Sequence, residues 1–236
     1  MNTKSISRIC GILYVTTVLA FLASNLFLKG QLVDAGNIPS TLKLVADNAL
    51  QYQLAVAVDF AAMVAVMALV FSLFTILRPV NPYLALLALG WRIGEVVLQA
   101  GAKVPDYLLL TLSQSAASSP GSGIAGLESL AQILIAGSTR AVWLSWVFLS
   151  MGSIFNNALF YRSKAIPAAL AIFGLASIAL YTLGSVLALV IDLPERAAQG
   201  MVLPLVLFEL SLGFYLAIFG IRERAPQRSA TALARS

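Results

Sequence analysis

The chain has 236 residues, of which 60% are hydrophobic and only 11% are charged. A soluble domain of this length could not bury so much apolar surface, so we expect lipid to solvate much of the protein. The formal charge of +5 does not indicate nucleic-acid binding, because the basic residues lie at the ends of apolar segments and not among aromatic residues. With no histidine and a single cysteine, Cys10, the chain lacks internal disulfides and the usual ligands of zinc and haem. We therefore expect no metal site and no cofactor.

Six apolar runs have about the 20 residues that a helix needs to cross a bilayer. Their residues do not alternate in polarity as barrel strands do, so we predict an all-α membrane protein with six transmembrane helices in one domain, residues 1–221. The first run also resembles a signal peptide, since Lys4 and Arg8 precede it and the sequence AFLA at 20–23 resembles a cleavage site, but its length favours a retained helix. The predicted helices cover residues 9–28, 54–77, 83–102, 141–161, 166–191 and 201–221.

Lysine and arginine are unevenly divided between the two sides of such a bundle. The side that holds both termini has short loops and carries Lys4, Arg8, Arg78, Arg162, Lys164, Arg222, Arg224, Arg228 and Arg235. The opposite side has fewer basic residues, on longer loops that also carry acids. The positive-inside rule therefore predicts that the N and C termini are cytoplasmic. The basic tail, residues 222–236, is predicted to be disordered.

Several shorter elements are predicted between the runs. Residues 39–41 begin a short amphipathic helix that we expect to lie on the membrane surface. The tight turn at residues 78–82 makes the second and third helices antiparallel neighbours. After the third run, Pro105 is expected to disturb the helix, the Ser/Ala/Gly-rich residues 113–126 to form a mobile loop, and residues 126–136 to form a second short helix.

Stripes of small residues mark the fourth and fifth helices. Small side chains on one face let two helices approach closely, so we interpret both stripes as packing surfaces. The first stripe consists of Ser138, Ser145, Gly152 and Asn156, and the second of Gly174, Ser177, Tyr181 and Gly184.

The third apolar run contains the strongest functional signal. At 100° per residue, Arg92, Glu95, Gln99 and Lys103 share one face of a helix, with glycines on the opposite side. A charge in hydrocarbon costs at least about 2.5–3.5 kcal/mol, so these groups should face the interior of the bundle and pair. The spacing of Arg92 and Glu95 allows them to contact each other within the helix.

Two further acids lie within the predicted membrane region, Asp59 in the second helix and Glu209 in the sixth. Counted from the helix ends, both lie roughly 10–12 Å below the outer boundary, as does Glu95. We therefore expect three carboxyl groups at one level with Arg92 one turn deeper. Because Arg92 neutralises one acid, protons, a bound cation or Arg140 must balance the others.

These residues support two alternative functions. The first is a site for a small solute or cation, reached from outside and transported with proton coupling, for which the candidate residues are Asp59, Arg92, Glu95, Gln99, Glu209, Arg140 and Tyr181. The second is a non-transporting scaffold or accessory subunit in which the charges form a structural lock. Enzyme activity has little support, because a histidine base is impossible and only one aspartate lies deep in the membrane. We predict no catalytic residue; the bilayer is the expected partner, and no protein partner is indicated.

Several segments resemble a family of bacterial membrane proteins described as a domain of unknown function, DUF4386. The similar segments are SRICGILY at 7–14, the helix with Asp59, LRPVNPYLALLALGWRIGE at 77–95, YRSKAIPAALAIFG at 161–174 and LPLVLFELSLGFYLAI at 203–218. The family pattern matches here at Arg8/Gly11, Arg92/Glu95 and Glu209. It departs after Pro167, where relatives have arginine and this chain has Ala168. The resemblance implies six helices in a bacterial inner membrane and no established activity.

Overall fold

A computed structural model describes residues 2–118, 123–191 and 195–222, with only the backbone described for residues 195–199. These residues form seven α-helices, and a π-helical turn, Ser24–Leu28, extends the first of them. The helices are α1 (Thr3–Ala23), α2 (Ile38–Asp47), α3 (Ala49–Leu77), α4 (Pro82–Ser118), α5 (Ile124–Ser163), α6 (Ala168–Val190) and α7 (Glu195–Phe219).

Within the described residues, six helices are long and apolar enough to cross a membrane, and the short α2 is the exception. The prediction of an all-helical, multi-span membrane protein is therefore confirmed. Large apolar side chains such as Phe60, Phe71 and Leu86 are at least half exposed on the outside of the bundle, where lipid would cover them. The predicted tail lies outside the described residues, apart from Arg222.

The six long helices form a closed ring. Each packs against the next in the chain, in the order α1, α3, α4, α5, α6 and α7, and α7 packs against α1. The tight turn between α3 and α4 does make them neighbours, as predicted. We call the end of the bundle that holds both termini the inner end and the opposite end the outer end.

The α4 and α5 helices are longer than the sequence indicated, with 37 and 40 residues. At 1.5 Å per residue they are about 55 and 60 Å long, so both extend beyond a bilayer core of about 30 Å. The expectation that Pro105 disturbs the helix was wrong, because α4 continues through it to Ser118. Likewise residues 126–136 are not a separate helix but the first part of α5, which follows Gly123.

Apolar packing at the outer end explains why α4 continues. A proline inside a helix removes one hydrogen bond, and burial of a continuous apolar face can offset that loss. Beyond Pro105, α4 buries Leu109 and Leu110 against Leu42 and Val45 of α2.

The predicted short helix that begins near residue 39 is confirmed as α2, and its buried face packs on α4 and α5. Within the predicted loop at residues 113–126, helix continues to Ser118, and residues 119–122 lie outside the described part of the chain.

Glycine allows α1 and α7 to approach closely where the ring closes. A Cβ atom built on Gly11 would lie 2.2 Å from the Ala217 backbone nitrogen and 2.5 Å from the Gly213 carbonyl oxygen. A Cβ on Gly213 would in turn lie 3.0 Å from the Tyr14 Cβ. Any larger residue at Gly11 must therefore separate the two helices.

The glycines of the predicted packing stripes also lie in helix contacts. A Cβ on Gly174 of α6 would meet the Phe208 ring of α7 at 2.5 Å, and a Cβ on Gly184 would meet the Met201 sulfur at 2.5 Å. The interpretation of these positions as packing surfaces is confirmed.

Candidate functional site

The polar face of α4 continues for about four helical turns and forms two clusters inside the ring. Its residues follow one another at spacings of three or four, which places them on one side of the helix. The inner cluster consists of Arg92, Glu95 and Gln99 with Tyr14, Tyr181 and Glu209 from α1, α6 and α7. The outer cluster consists of Lys29, Asp59, Lys103, Asp106 and Ser138.

Arg92 and Glu95 form the centre of the inner cluster, as their spacing predicted. The Arg92 Nη1 and Glu95 Oε2 atoms are 2.9 Å apart, and the two side chains are only 4% and 3% exposed. Gln99 Nε2 donates a hydrogen bond to the other carboxylate oxygen, Oε1, at 3.2 Å. Among the described residues, Arg92 Nε and Nη1 and Glu95 Oε2 have no partner with hydrogen-bond geometry. The ion pair is therefore close but leaves hydrogen-bonding capacity unused.

A glycine of α5 makes room for the arginine. A Cβ on Gly152 would lie 2.6 Å from the Arg92 Cγ and 2.9 Å from its Cδ. The aliphatic stem of Arg92 therefore lies directly across the Gly152 backbone. Because Gly152 has no side chain, α5 leaves room for the stem that carries the guanidinium.

Helices on the far side of the ring contribute the remaining members of the inner cluster. Tyr14, Glu209 and Tyr181 all interact electrostatically with Arg92. Glu209, which is half-buried, is also an electrostatic neighbour of Glu95. Two carboxyl groups thus face one guanidinium, so the inner cluster carries one negative charge in excess if both acids are ionised.

In the outer cluster, two lysines pair with two aspartates. Lys103 Nζ donates to Asp59 Oδ2 at 2.7 Å and to Asp106 Oδ2 at 3.3 Å. Lys29 Nζ lies 2.5 Å from Asp106 Oδ2, and Ser138 Oγ donates to Asp106 Oδ1 at 2.8 Å. These contacts join the outer end of α1 to α3, α4 and α5. The four charges balance one another.

Lys29, just beyond the first spanning segment, illustrates the cost of burying such a pair. Burial lowers the pKa of the Lys29 ammonium, and the nearby Asp106 carboxylate opposes that shift. The net direction is downward, so the ion pair does not fully compensate for the lost hydration of the lysine.

The position of Asp59 differs from the sequence-based expectation. It was expected at the level of Glu95 and Glu209, but its partner is Lys103, eight residues and about 12 Å along α4 from Glu95. The flexible lysine stem reaches the carboxylate because α4 continues past residue 102 beside α3. Asp59 Oδ1 has no hydrogen-bond partner among the described residues.

Sequence reasoning missed Lys29 and Asp106 as members of the charged network. Both were assigned to the region outside the membrane, because the first predicted helix was expected to end at residue 28 and the third at residue 102. One signal was present, since Asp106 follows Lys103 by three residues and extends the same polar face.

The candidate site residue Arg140 lies on α5, two residues after Ser138, and its side chain is exposed.

The ring and its two clusters define a multi-span helical membrane protein with buried ion pairs. The family model for a domain of unknown function (DUF4386) matches residues 9–220. The chain therefore belongs to this family. Comparison with curated proteins and with solved structures gave no match.

Proposed function

We propose that the protein binds a proton or a small cation at the inner cluster and transports a small solute across a bacterial cytoplasmic membrane. The charge imbalance of the inner cluster carries the proposal. Among the described residues, Glu95 and Glu209 both interact electrostatically with Arg92, in a region of low dielectric where an uncompensated charge is costly. A proton or cation bound between the two acids restores neutrality. Because this occupant is exchangeable, the site can couple to a gradient.

The position of the outer cluster supports solute access from the outer end. It lies on the same face of α4 as the inner cluster, two helical turns closer to the outer end. Solute that reaches Glu95 from outside must pass the Lys103–Asp59 pair. Asp59 is therefore a gate residue in this proposal and not a direct ligand of the cation at Glu95 and Glu209.

A scaffold role is the second candidate, and the outer cluster favours it. Its lysines and aspartates are paired, and together with Ser138 they join the outer end of α1 to α3, α4 and α5. Buried ion pairs of this kind can specify helix register without any ligand. In that case the inner cluster would also be a structural lock.

Thermal unfolding at different pH values distinguishes the two candidates. At low pH a proton neutralises Glu95 or Glu209, and the other carboxylate pairs with Arg92. At high pH this proton is lost, and the second carboxylate then carries an uncompensated charge inside the bundle. We therefore expect the melting temperature of the purified protein to fall as the pH rises from 5 to 8. For one proton, the unfolding free energy should decrease by at most about 1.4 kcal/mol per pH unit. Sodium or potassium should raise the melting temperature at pH 8 if the site accepts a metal ion.

Glu209→Gln should remove most of this pH dependence while the protein stays folded. Asp47→Asn is the matched control, because Asp47 is an exposed acid on α2, and it should retain the dependence of the unaltered protein. Flat, identical curves for all three proteins would leave the scaffold role as the better explanation.

Both termini are proposed to lie in the cytoplasm, as the lysine and arginine distribution indicates. Cysteines introduced at Ser122 and Ser229 should therefore react with a membrane-impermeant maleimide from opposite sides of the membrane, with Ser122→Cys labelled from outside. Cys10 is fully buried, so it should give little background labelling. Labelling of both positions from one side would contradict a bundle of six spanning helices.

A further inference from the structure

The inner end of the bundle brings four basic side chains to the chain segment that ends α7. This segment, residues 218–222, includes the last residues of α7 and the three that follow it. Its five residues span at most about 18 Å when fully extended. Four exposed basic residues either belong to it or lie next to it, namely Lys4, Arg8, Lys164 and Arg222.

The first two basic residues come from α1, which packs against α7. Arg8 Nη2 donates a hydrogen bond to the Ile218 carbonyl oxygen at 3.4 Å. A Cβ atom built on Gly220 would lie 3.0 Å from the Lys4 Cγ. Both side chains therefore lie beside the end of α7, although more than 200 residues separate them from it in the sequence.

The other two basic residues meet where the segment crosses to the α5–α6 turn. The Arg222 backbone nitrogen donates to the Ala165 carbonyl oxygen at 2.9 Å, and Lys164 directly precedes Ala165. Among the described residues, the nearest acid along α7 is Glu209, about 15 Å further into the bundle than Phe219. The sequence after Arg222 adds three arginines and one glutamate. The positive charge at this end is therefore not balanced by a neighbouring carboxylate of the described chain.

Apolar side chains follow the basic ones on the outside of the ring. At 100° per residue, Ile12 and Leu19 lie within about 40° of Arg8 around α1, so one face of the helix carries first charge and then apolar surface. On α7, Phe214 and Ile218 lie one helical turn apart. These four apolar side chains are 51–61% exposed. Because α1 and α7 are in contact, both apolar faces border the seam between them.

We propose that an anionic phospholipid binds at the inner end of the seam between α1 and α7. Its phosphate lies among the four basic side chains, and an acyl chain lies along Ile12 and Phe214. The inner end is the proposed cytoplasmic end, where anionic lipids give the membrane surface a negative potential. This inference is independent of the solute site and goes beyond it.

The arrangement of the charges favours a bound lipid over a topology signal alone. The positive-inside rule depends on the number of basic residues in the loops and does not require them to meet. Here the fold brings together like charges from three separate parts of the chain, which repel one another unless an anion lies between them. A second copy of the chain would bring more positive charge to the same place, and a free phosphate ion would not use the apolar seam.

Native mass spectrometry of the purified full-length protein in neutral detergent tests the proposal with phosphatidylglycerol and phosphatidylcholine that carry the same acyl chains. We expect phosphatidylglycerol, which has a net negative charge, to bind at least about tenfold more tightly. Lys4→Gln/Arg8→Gln should weaken its binding about twentyfold or more, at about fivefold for each charge removed. The same double variant should leave the binding of phosphatidylcholine unchanged.

Lys43→Gln/Arg78→Gln is the matched control. It removes the same charge from two exposed positions, one on α2 and one in the α3–α4 turn, and among the described residues these helices do not pack against α7. We expect it to change the affinity for phosphatidylglycerol less than about twofold. If Lys4→Gln/Arg8→Gln does not fold, Lys164→Gln/Arg222→Gln carries the same test.

Equal affinity for the two lipids overturns the proposal. Equal weakening by the two double variants overturns it too, because the effect would then come from net charge and not from this site. Displacement of phosphatidylglycerol by an equal concentration of inorganic phosphate would show a phosphate site that does not use the apolar seam, and this result also contradicts a lipid site.

Discussion

Replacing Arg92 by leucine is expected to lower the stability of the purified protein by about 3–5 kcal/mol. The substitution leaves the buried Glu95 and the half-buried Glu209 without Arg92, the cation of the inner cluster. For a chain of this length the loss corresponds to a fall of roughly 10 °C in the melting temperature. Thermal unfolding in detergent, followed by circular dichroism at neutral pH, measures it.

The double variant Arg92→Leu/Glu95→Gln should recover part of this loss, because it removes one of the two unpaired acids. Arg78→Leu is the control, since Arg78 is exposed in the α3–α4 turn and its replacement should change stability by less than about 0.5 kcal/mol. If the double variant melts no higher than Arg92→Leu, the pairing of Arg92 with Glu95 does not stabilise the bundle.

Gly11→Ala is expected to be the most damaging single-methyl substitution in the α1–α7 contact. The added Cβ would overlap the backbone of Ala217 and Gly213, and a helix backbone cannot move aside as a flexible side chain can. The two helices must separate, which we expect to cost about 3 kcal/mol or more through overpacking and lost contacts. The melting temperature and the monodispersity of the protein in size-exclusion chromatography measure the effect.

Gly137→Ala provides the comparison for that experiment. A Cβ on Gly137 of α5 has no neighbour within 4 Å, so this substitution should stabilise its helix by about 0.5–1 kcal/mol. A Gly11→Ala protein as stable as Gly137→Ala would show that α1 and α7 are not held at the distance described here.

Length and charge patterns in the sequence were sufficient to predict the all-helical bundle. The apolar runs identified every spanning helix, because a helix must cross about 30 Å of hydrocarbon whatever its neighbours are. The same reasoning identified the Arg92–Glu95 pair, since a spacing of three residues within one helix fixes their proximity. Local geometry decided both results.

Contacts between distant segments were not predictable in this way. The continuation of α4 through Pro105 depends on α2, which packs against Leu109 and Leu110, and a local propensity rule does not include that surface. The Lys103–Asp59 pair depends on the lateral position of α3 beside α4. Trp146 and Tyr181 come together only when α5 and α6 pack. Each of these features depends on helix packing, which periodicity within one helix does not specify.

The ring order has a consequence for how the protein is made. Because every long helix packs against its predecessor in the chain, the helices can associate one after another as they leave the ribosome and enter the bilayer. The intramembrane charges that belong to α3 and α4 are already matched at that stage, with Asp59 on Lys103 and Glu95 on Arg92. Among the described residues, α7 then brings a further intramembrane acid, Glu209, and α7 is also the helix that joins α1. The last step of assembly therefore both closes the ring and brings the second acid to Arg92.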